Sequence, residues 1–350
     1  AMDIHGGKAV TLGPRNYIGI GYSANPVAIT VEGANIMTRN LMVFGQGAIR
    51  CHPYVLEELA AKDADDAKAF DRAFFRHAGL IFGNAARALT MGLGIGKPSC
   101  PFDEVARPYA QDVARLSAGF SLCADAAMAS LGAELKQREM LSARLGDVLS
   151  NLYLVSMVIK QWHEGDKVEG EAELMHYACR FLLNRAETAF VEVFDNLPNR
   201  ALGKTLKVLV MPLGRRWARP HDDLARSIAR AVSTDSALRK KLLVGAWDSN
   251  DQVQDNPVAR YNALLETQDR AEVLYRQINK AYSKGKLPVQ ALHPEERLEA
   301  ALEEGLISEE DADFMRKREA EVLDMLSVDD FAFDAFVTDK EKMNHHNVTA

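Results

Sequence analysis

In the stretch AITVEGANIMTRN, Ala28 to Asn40, a single glutamate, Glu32, stands between an apolar run and a glycine. Two roles fit a carboxylate at that place. It can be a first-turn charge that complements a helix macrodipole, or a general base held in a dry pocket. The residues by themselves favour the first, because acidic side chains are common in first turns. The run before it, Ala28-Ile29-Thr30-Val31, is extended in character and half-buried or better. After Gly33 the spacing of Ile36, Leu41, Met42 and Phe44 becomes helical.

Other stretches carry weaker signals. GLGIGKPS, Gly92 to Ser99, superficially resembles a phosphate loop. A P-loop needs GxxxxGK followed directly by Ser or Thr and a strand before it; here Pro98 follows Lys97 and a helix precedes, so an interhelix connection is expected. No metal constellation is legible among the histidines: HEGD at His163 lacks a second histidine, His176 falls on another helix, and His77 reads as a hydrogen-bonded core-edge residue. In MPLGRRWARP, Arg215, Arg216, Trp217 and Arg219 crowd together. That pattern suits an anionic membrane surface, or a solvated basic turn with a local acidic partner. The pair Gly6-Gly7 in DIHGGKAV fits either a helix C-cap and turn or a close backbone approach to a ligand.

The elements that must position these residues are helical. Apolar positions recur at helical spacing over 109–127, 141–159 and 175–193, and a fourth helix runs around Phe70, Phe74, Ile81 and Leu89. Short connections make the neighbours antiparallel. The fold class is therefore all-α, with a helical bundle over 56–198 between an N-terminal piece, 1–55, and a remainder, 199–350. In that remainder Pro212, Pro220, Pro257, Pro288 and Pro294 separate shorter helices, and N-caps are expected at Ser233 to Asp235 and at Ser308. The acidic end, DKEKMNHHNVTA, reads as a frayed tail. The 350 residues, 47% hydrophobic and 26% charged, are ordinary for a globular protein able to bury a core without disulfides. A net charge of -7 argues against nucleic acid as the main partner. Four widely spaced cysteines with no CxxC pair give neither a zinc site nor a disulfide framework. No apolar run approaches the ~20 residues of a spanning helix. The chain starts at Ala1 in what reads as the end of a helix, so an N-terminal portion is expected to precede it.

Taken together, AMDIHGG and AITVEGANIMTRNLMVFGQGAIR resemble the acyl-CoA dehydrogenase family, in which a glycine-rich helix end is followed by a Glu-Gly motif opening the last core helix. FGQGAIRCHPYVLEE and MPLGRRWARP resemble the C-terminal part of the long bacterial FadE-type fatty acyl-CoA dehydrogenases. The core resemblance covers about the first fifty-five residues and the subgroup resemblance nearly all the rest. The resemblance implies α,β-dehydrogenation of a medium- or long-chain fatty acyl-CoA to the trans-2-enoyl-CoA, with Glu32 removing the α-proton and FAD taking the hydride. Desolvation beside Val31 and an acyl chain strengthens a carboxylate as a base. The resemblance also implies flavin contacts at Asp3, Gly6, Gly7, Gly33, Ala34, Asn35 and Ile36. The sequence departs from the family pattern at Asp3, Ala9, Val31 and Ala34, where the family has glutamine, glycine, tyrosine and threonine; contacts made by those side chains are the ones affected. Implied partners are the fatty acyl-CoA, an electron-transferring flavoprotein and a second copy in a homodimer. The expected location is cytoplasmic, and the pattern of basic residues beside a tryptophan adds the expectation of peripheral inner-membrane contact through Arg215, Arg216 and Trp217. Without the preceding flavin domains the chain alone is expected to be inactive. A non-catalytic helical interaction or membrane-docking module is the alternative.

Overall fold

The computed structural model describes residues 1–10, 17–31, 35–246 and 256–327. Every regular element among them is a helix. The chain divides into two compact units, Ala1–Val31 with Ser233–Ala350, and Glu32–Val232.

The second unit is the bundle expected from the apolar spacing. Its main helices are α1 (Val55–Asp63), α2 (Ala67–Gly92), α3 (Arg107–Leu131), α4 (Glu139–Glu164), α5 (Glu171–Asn196) and α6 (Arg200–Val210). Asp66 starts α2 by accepting the Ala69 N–H at 3.0 Å, and Asn199 caps α6 on the Leu202 N–H at 3.1 Å. The closest packing is between α4 and α5, and α3 packs against both α2 and α4. Contacts from His77 to Asp125 and from Asn84 to Ser121 run in opposite directions along α2 and α3, so that pair is antiparallel. Leu145, Val148 and Val155 of α4 and Leu183, Phe190 and Val193 of α5 are fully buried between them. Each such side chain contributes roughly 1.5–3 kcal/mol of transfer free energy. Helix α3 reaches the length and mean hydropathy of a membrane span, contrary to the expectation that no run would come close. Its apolar positions Leu116, Leu122, Cys123 and Ala127 lie in the bundle core.

Several local expectations are corrected. Ala28–Val31 is helical, within Pro26–Val31. Pro26 at the first helical position presets φ, and the helix preference this gives outweighs the weak β-propensity of the branched residues. The cap near 233–235 is instead Ser236, which accepts the Arg239 N–H at 3.1 Å and opens Ala237–Leu242. On α2 the buried stripe is Ala73, Asn84 and Ala88, whereas Phe70 and Phe74 are exposed, because the helix meets its neighbours over small residues. The connection 93–106 is the interhelix loop expected for GLGIGKPS, and the Ser308 cap holds on the Asp311 N–H at 3.1 Å. The tail expectation at 328–350 lies outside the described residues.

Residues 35–50 form one continuous helical segment whose middle, Thr38–Gln46, is a π-helix. It lies along α4, where Arg39 pairs with Asp147 at 2.8 and 2.5 Å, and it also meets α3, where Phe44 is buried edge-on to Phe120. Gly146 permits the approach, since a Cβ there would sit 3.2 Å from the Arg39 carbonyl oxygen. In the first unit, helices Gln268–Ser283, Pro294–Glu303 and Glu309–Leu326 enclose a smaller core of Leu274, Ile278, Leu298, Ala301, Ala312 and Met315.

At Gly203 a Cβ would stand 2.2 Å from the Phe194 carbonyl oxygen, a clash with backbone. Gly203→Ala is expected to cost about 2–4 kcal/mol in urea unfolding by forcing α6 off α5. Gly79→Ala, where the added methyl meets nothing within 4 Å on an exposed helix interior, is expected to gain about 0.5–1 kcal/mol. A pH test follows from Asp103, which accepts from Lys167 at 2.7 Å, the Ala106 N–H at 2.9 Å and the Trp162 indole at 2.9 Å. Those donors, Lys167 foremost, hold its carboxyl down to about 2. A depressed folded value stabilises above the unfolded value of about 3.9 and is lost as pH falls through the folded one. The gap in urea midpoint between wild type and Asp103→Asn should therefore be full above about pH 4 and close towards about pH 2.

Candidate functional site

Of the residues expected to do chemistry, Glu32, Gly33 and Ala34 lie outside the described residues. Asp3, Gly6 and Gly7 are exposed at the start of the first unit, and Gly6 has φ +58°. Open space surrounds the Cβ positions of both glycines, so their backbone is accessible to a ligand. Asn35 and Ile36 are exposed at the start of the segment that packs on α4. The bundle fixes the segment that carries the last two.

The basic turn has acidic partners, one of the two alternatives that its composition left open. Arg115 of α3, 1% exposed, donates to Asp112 Oδ1 at 2.8 Å and to Glu187 Oε1 of α5 at 3.0 Å. Glu187 Oε2 accepts the backbone N–H groups of Arg216 at 2.9 Å and Trp217 at 3.0 Å. The Trp217 indole donates to Asp112 Oδ2 at 2.6 Å, and the Arg216 guanidinium reaches Asp112 and the carbonyl ends of α2. Two carboxylates and two guanidiniums balance in one network. Trp217 is half-buried with its indole on Asp112, while Arg216 reaches the same carboxylate and is still exposed to solvent. Arg215 alone of the three has an exposed side chain free of this network. Beside it, Tyr109 Oη lies 2.7 Å from His176 Nδ1. Burial, helped by Arg180, lowers the His176 pKa, and burial raises that of Tyr109.

Sequence spacing missed the cluster His52, His77 and Asp125, whose members come from three separate elements. His52 Nδ1 accepts the backbone N–H groups of Tyr54 at 3.2 Å and Val55 at 3.1 Å, so the ring proton is on Nε2 and is donated to Asp125 Oδ1 at 2.9 Å. His77 Nδ1 donates to Glu58 Oε1 at 2.8 Å, and its Nε2 lies 3.4 Å from the same Asp125 oxygen. The three side chains have donor atoms within 4.8 Å of one another, which is compatible with a metal ion. A metal on His52 Nε2 would have to displace a proton from a neutral imidazole whose other nitrogen is already an acceptor, so the donor set suits a hydrogen-bonded network better. Asp125 also lines a cavity of about 670 Å³ bounded by the 35–50 segment and by α1, α2, α3 and α4. The thiols of Cys123 and Cys179 are pushed up by burial, Cys179 to about 12, which removes them as nucleophiles.

The sequence model for the C-terminal domain of bacterial-type acyl-CoA dehydrogenases matches residues 49–331. The chain belongs to this family. The match spans all six bundle helices and most of the helices after them, and it begins where the 35–50 segment ends. The fold of the acyl-CoA dehydrogenase C-terminal domain is thus all-helical here. No solved structure matches the chain.

Glu187 is 0% exposed and satisfies three donors from two elements. Glu187→Ala is expected to cost about 3–5 kcal/mol in urea unfolding, since it leaves Arg115 with Asp112 as its one carboxylate and strips two backbone N–H groups of their acceptor. Arg215→Ala should stay within about 0.5 kcal/mol.

Proposed function

We propose that the protein carrying this domain is an FAD-dependent acyl-CoA dehydrogenase that converts medium- or long-chain fatty acyl-CoA to the trans-2-enoyl-CoA in β-oxidation. The observation that carries the reading is the family match over 49–331, directly preceded by the Val31-Glu32-Gly33 motif and the helical segment it opens. In this reading Glu32 accepts the α-proton of the thioester. Gly33 keeps the backbone bare beside it, so the backbone N–H of Glu32 can donate to the thioester oxygen as enolate charge develops. FAD, when bound, supplies the acceptor for the hydride leaving the β-carbon. The exposed backbone of Gly6 and Gly7 suits close approach of the cofactor, and Asp3, Asn35 and Ile36 have solvent-facing positions from which to meet it. Gly33 and Ala34 complete the set the motif implies. An electron-transferring flavoprotein as electron acceptor and a homodimer as the working form belong to the same proposal.

The test compares wild type with Glu32→Gln in the FAD-loaded enzyme, using palmitoyl-CoA and an artificial electron acceptor. The amide keeps the shape and removes the base. A loss of turnover of roughly 10²–10⁴-fold or more, with the flavin spectrum unchanged, supports Glu32 as the proton acceptor. Near-normal turnover would reduce Glu32 to a charge at a helix start.

A further inference from the structure

The 35–50 segment and α4 meet at two points where one side is a glycine. A Cβ on Gly146 of α4 would stand 3.2 Å from the Arg39 carbonyl oxygen, and one on Gly45 of the segment would stand 3.3 Å from Ser142 Oγ. The contacts run from Gly45 at Ser142 to Arg39 at Gly146 and Asp147, so the segment lies antiparallel to α4. After α5 it is the closest neighbour that α4 has. Both belong to one compact unit.

Two kinds of contact hold it there. The one at Gly146 is steric and sets distance, because the atom across it is backbone and can yield only if the segment itself shifts. The Arg39–Asp147 pair is bidentate, with Nε and Nη2 donating to the two carboxylate oxygens at 2.8 and 2.5 Å, and it sets register. Its side chains are 54% and 29% exposed, so it adds little to stability. Its contribution is to geometry, and geometry matters most where a displaced group does chemistry. Asn35 precedes Arg39 by one helical turn, and Glu32 precedes Asn35 by three residues, which reach at most about 11 Å. A reacting group misplaced by about 1 Å can lose on the order of a hundred-fold in rate.

We propose that Gly146 and Asp147 are positioning residues for the dehydrogenation: through the 35–50 segment they fix the point from which Glu32 takes the α-proton. The inference rests on the reading of Glu32 as the proton acceptor. It gives a part in turnover to the helical bundle, none of whose helices α1 to α6 carries a residue of the motif-derived site.

The experiment uses the FAD-loaded enzyme, an artificial electron acceptor, and palmitoyl-CoA with and without deuterium at the α-carbon. Gly146→Ala is expected to lower kcat at least five-fold, with KM within two-fold of wild type and the flavin spectrum unchanged. The α-deuterium isotope effect on kcat should be at least as large as that of wild type, because proton abstraction is the step slowed. The added methyl favours helix, so circular dichroism and melting temperature should hold. Asp147→Asn is expected to lower kcat at least two-fold and to speed amide hydrogen exchange over 35–50 by about two- to five-fold. Asp147→Glu keeps the charge and should restore most of both. Gly79→Ala, on the exposed side of α2, serves as the control with unchanged turnover. Should Gly146→Ala fail to fold, Asp147→Asn at its part-exposed position decides the matter. Unchanged turnover in both variants, a loss that lies in KM, an isotope effect shrinking towards one, or unaltered exchange in Asp147→Asn would each overturn the proposal. Glu32→Gln run alongside separates the two readings. If it abolishes turnover and Gly146→Ala does not, the base stands and the positioning role falls; if it keeps near-normal turnover, the base falls and this inference with it.

Discussion

The ion pair between Arg115 and Glu187 is the contact on which the bundle depends. Both side chains are buried, and they tie α3 to α5 across the core. A buried pair of this kind contributes little net stability by itself, since removing two charges from water costs about what their attraction returns. Its effect is on arrangement. Glu187 also accepts two backbone N–H groups from the turn after α6, and Asp112 accepts the Trp217 indole, so helix packing and loop path are fixed by the same charges. Any other register of α3 on α5 would leave at least one of four ionised groups unmatched in the interior. The arginines and the tryptophan that look on paper like a surface patch are the parts that close this network.

The segment bearing the proposed catalytic motif is held from its C-terminal side. Residues 35–50 lie along α4 through the Arg39–Asp147 pair, at a distance that Gly146 makes possible, and Phe44 meets Phe120 of α3. The nine residues of π-helix in it are unusual, since such geometry mostly occurs as single turns and often near functional sites. The wider turn changes which side chains face the bundle relative to a regular helix; within it Met42 is exposed and Phe44 is buried. The bundle thus serves as a platform for the helical segment that begins at Asn35.

Around Asp125 the logic is reversed. Where the Arg115 network satisfies its carboxylates from several sides, Asp125 has one oxygen engaged by two imidazoles and the other left without a donor, at the wall of a cavity. Two buried carboxylates within one helix, between three and four turns apart, therefore differ: Asp112 has both oxygens engaged, and Asp125 has one engaged and one sealed without a donor.

Helix content and the four long helices were legible because each buries one stripe, and the 3.6-residue period of the stripe survives in the sequence at 109–127, 141–159 and 175–193. The Ser308 cap and the loop at 93–106 were legible for equally local reasons. The family was legible from short motifs, and the match over 49–331 bears it out. What escaped the sequence depends on residues far apart along the chain. His52, His77 and Asp125 come together only when α2 packs antiparallel on α3, and no local spacing encodes that. The engagement of Arg216 and Trp217 depends on Asp112 and Glu187, about a hundred and about thirty residues away, since a basic cluster has the same composition whether water or a buried carboxylate faces it. The helix at Pro26–Val31 was missed because β-branching biases the backbone by only tenths of a kcal/mol, too little to decide a short segment. The sequence thus determined which stretches are helical, and the tertiary structure decided which charges are interior, because only packing sets a charge's solvent.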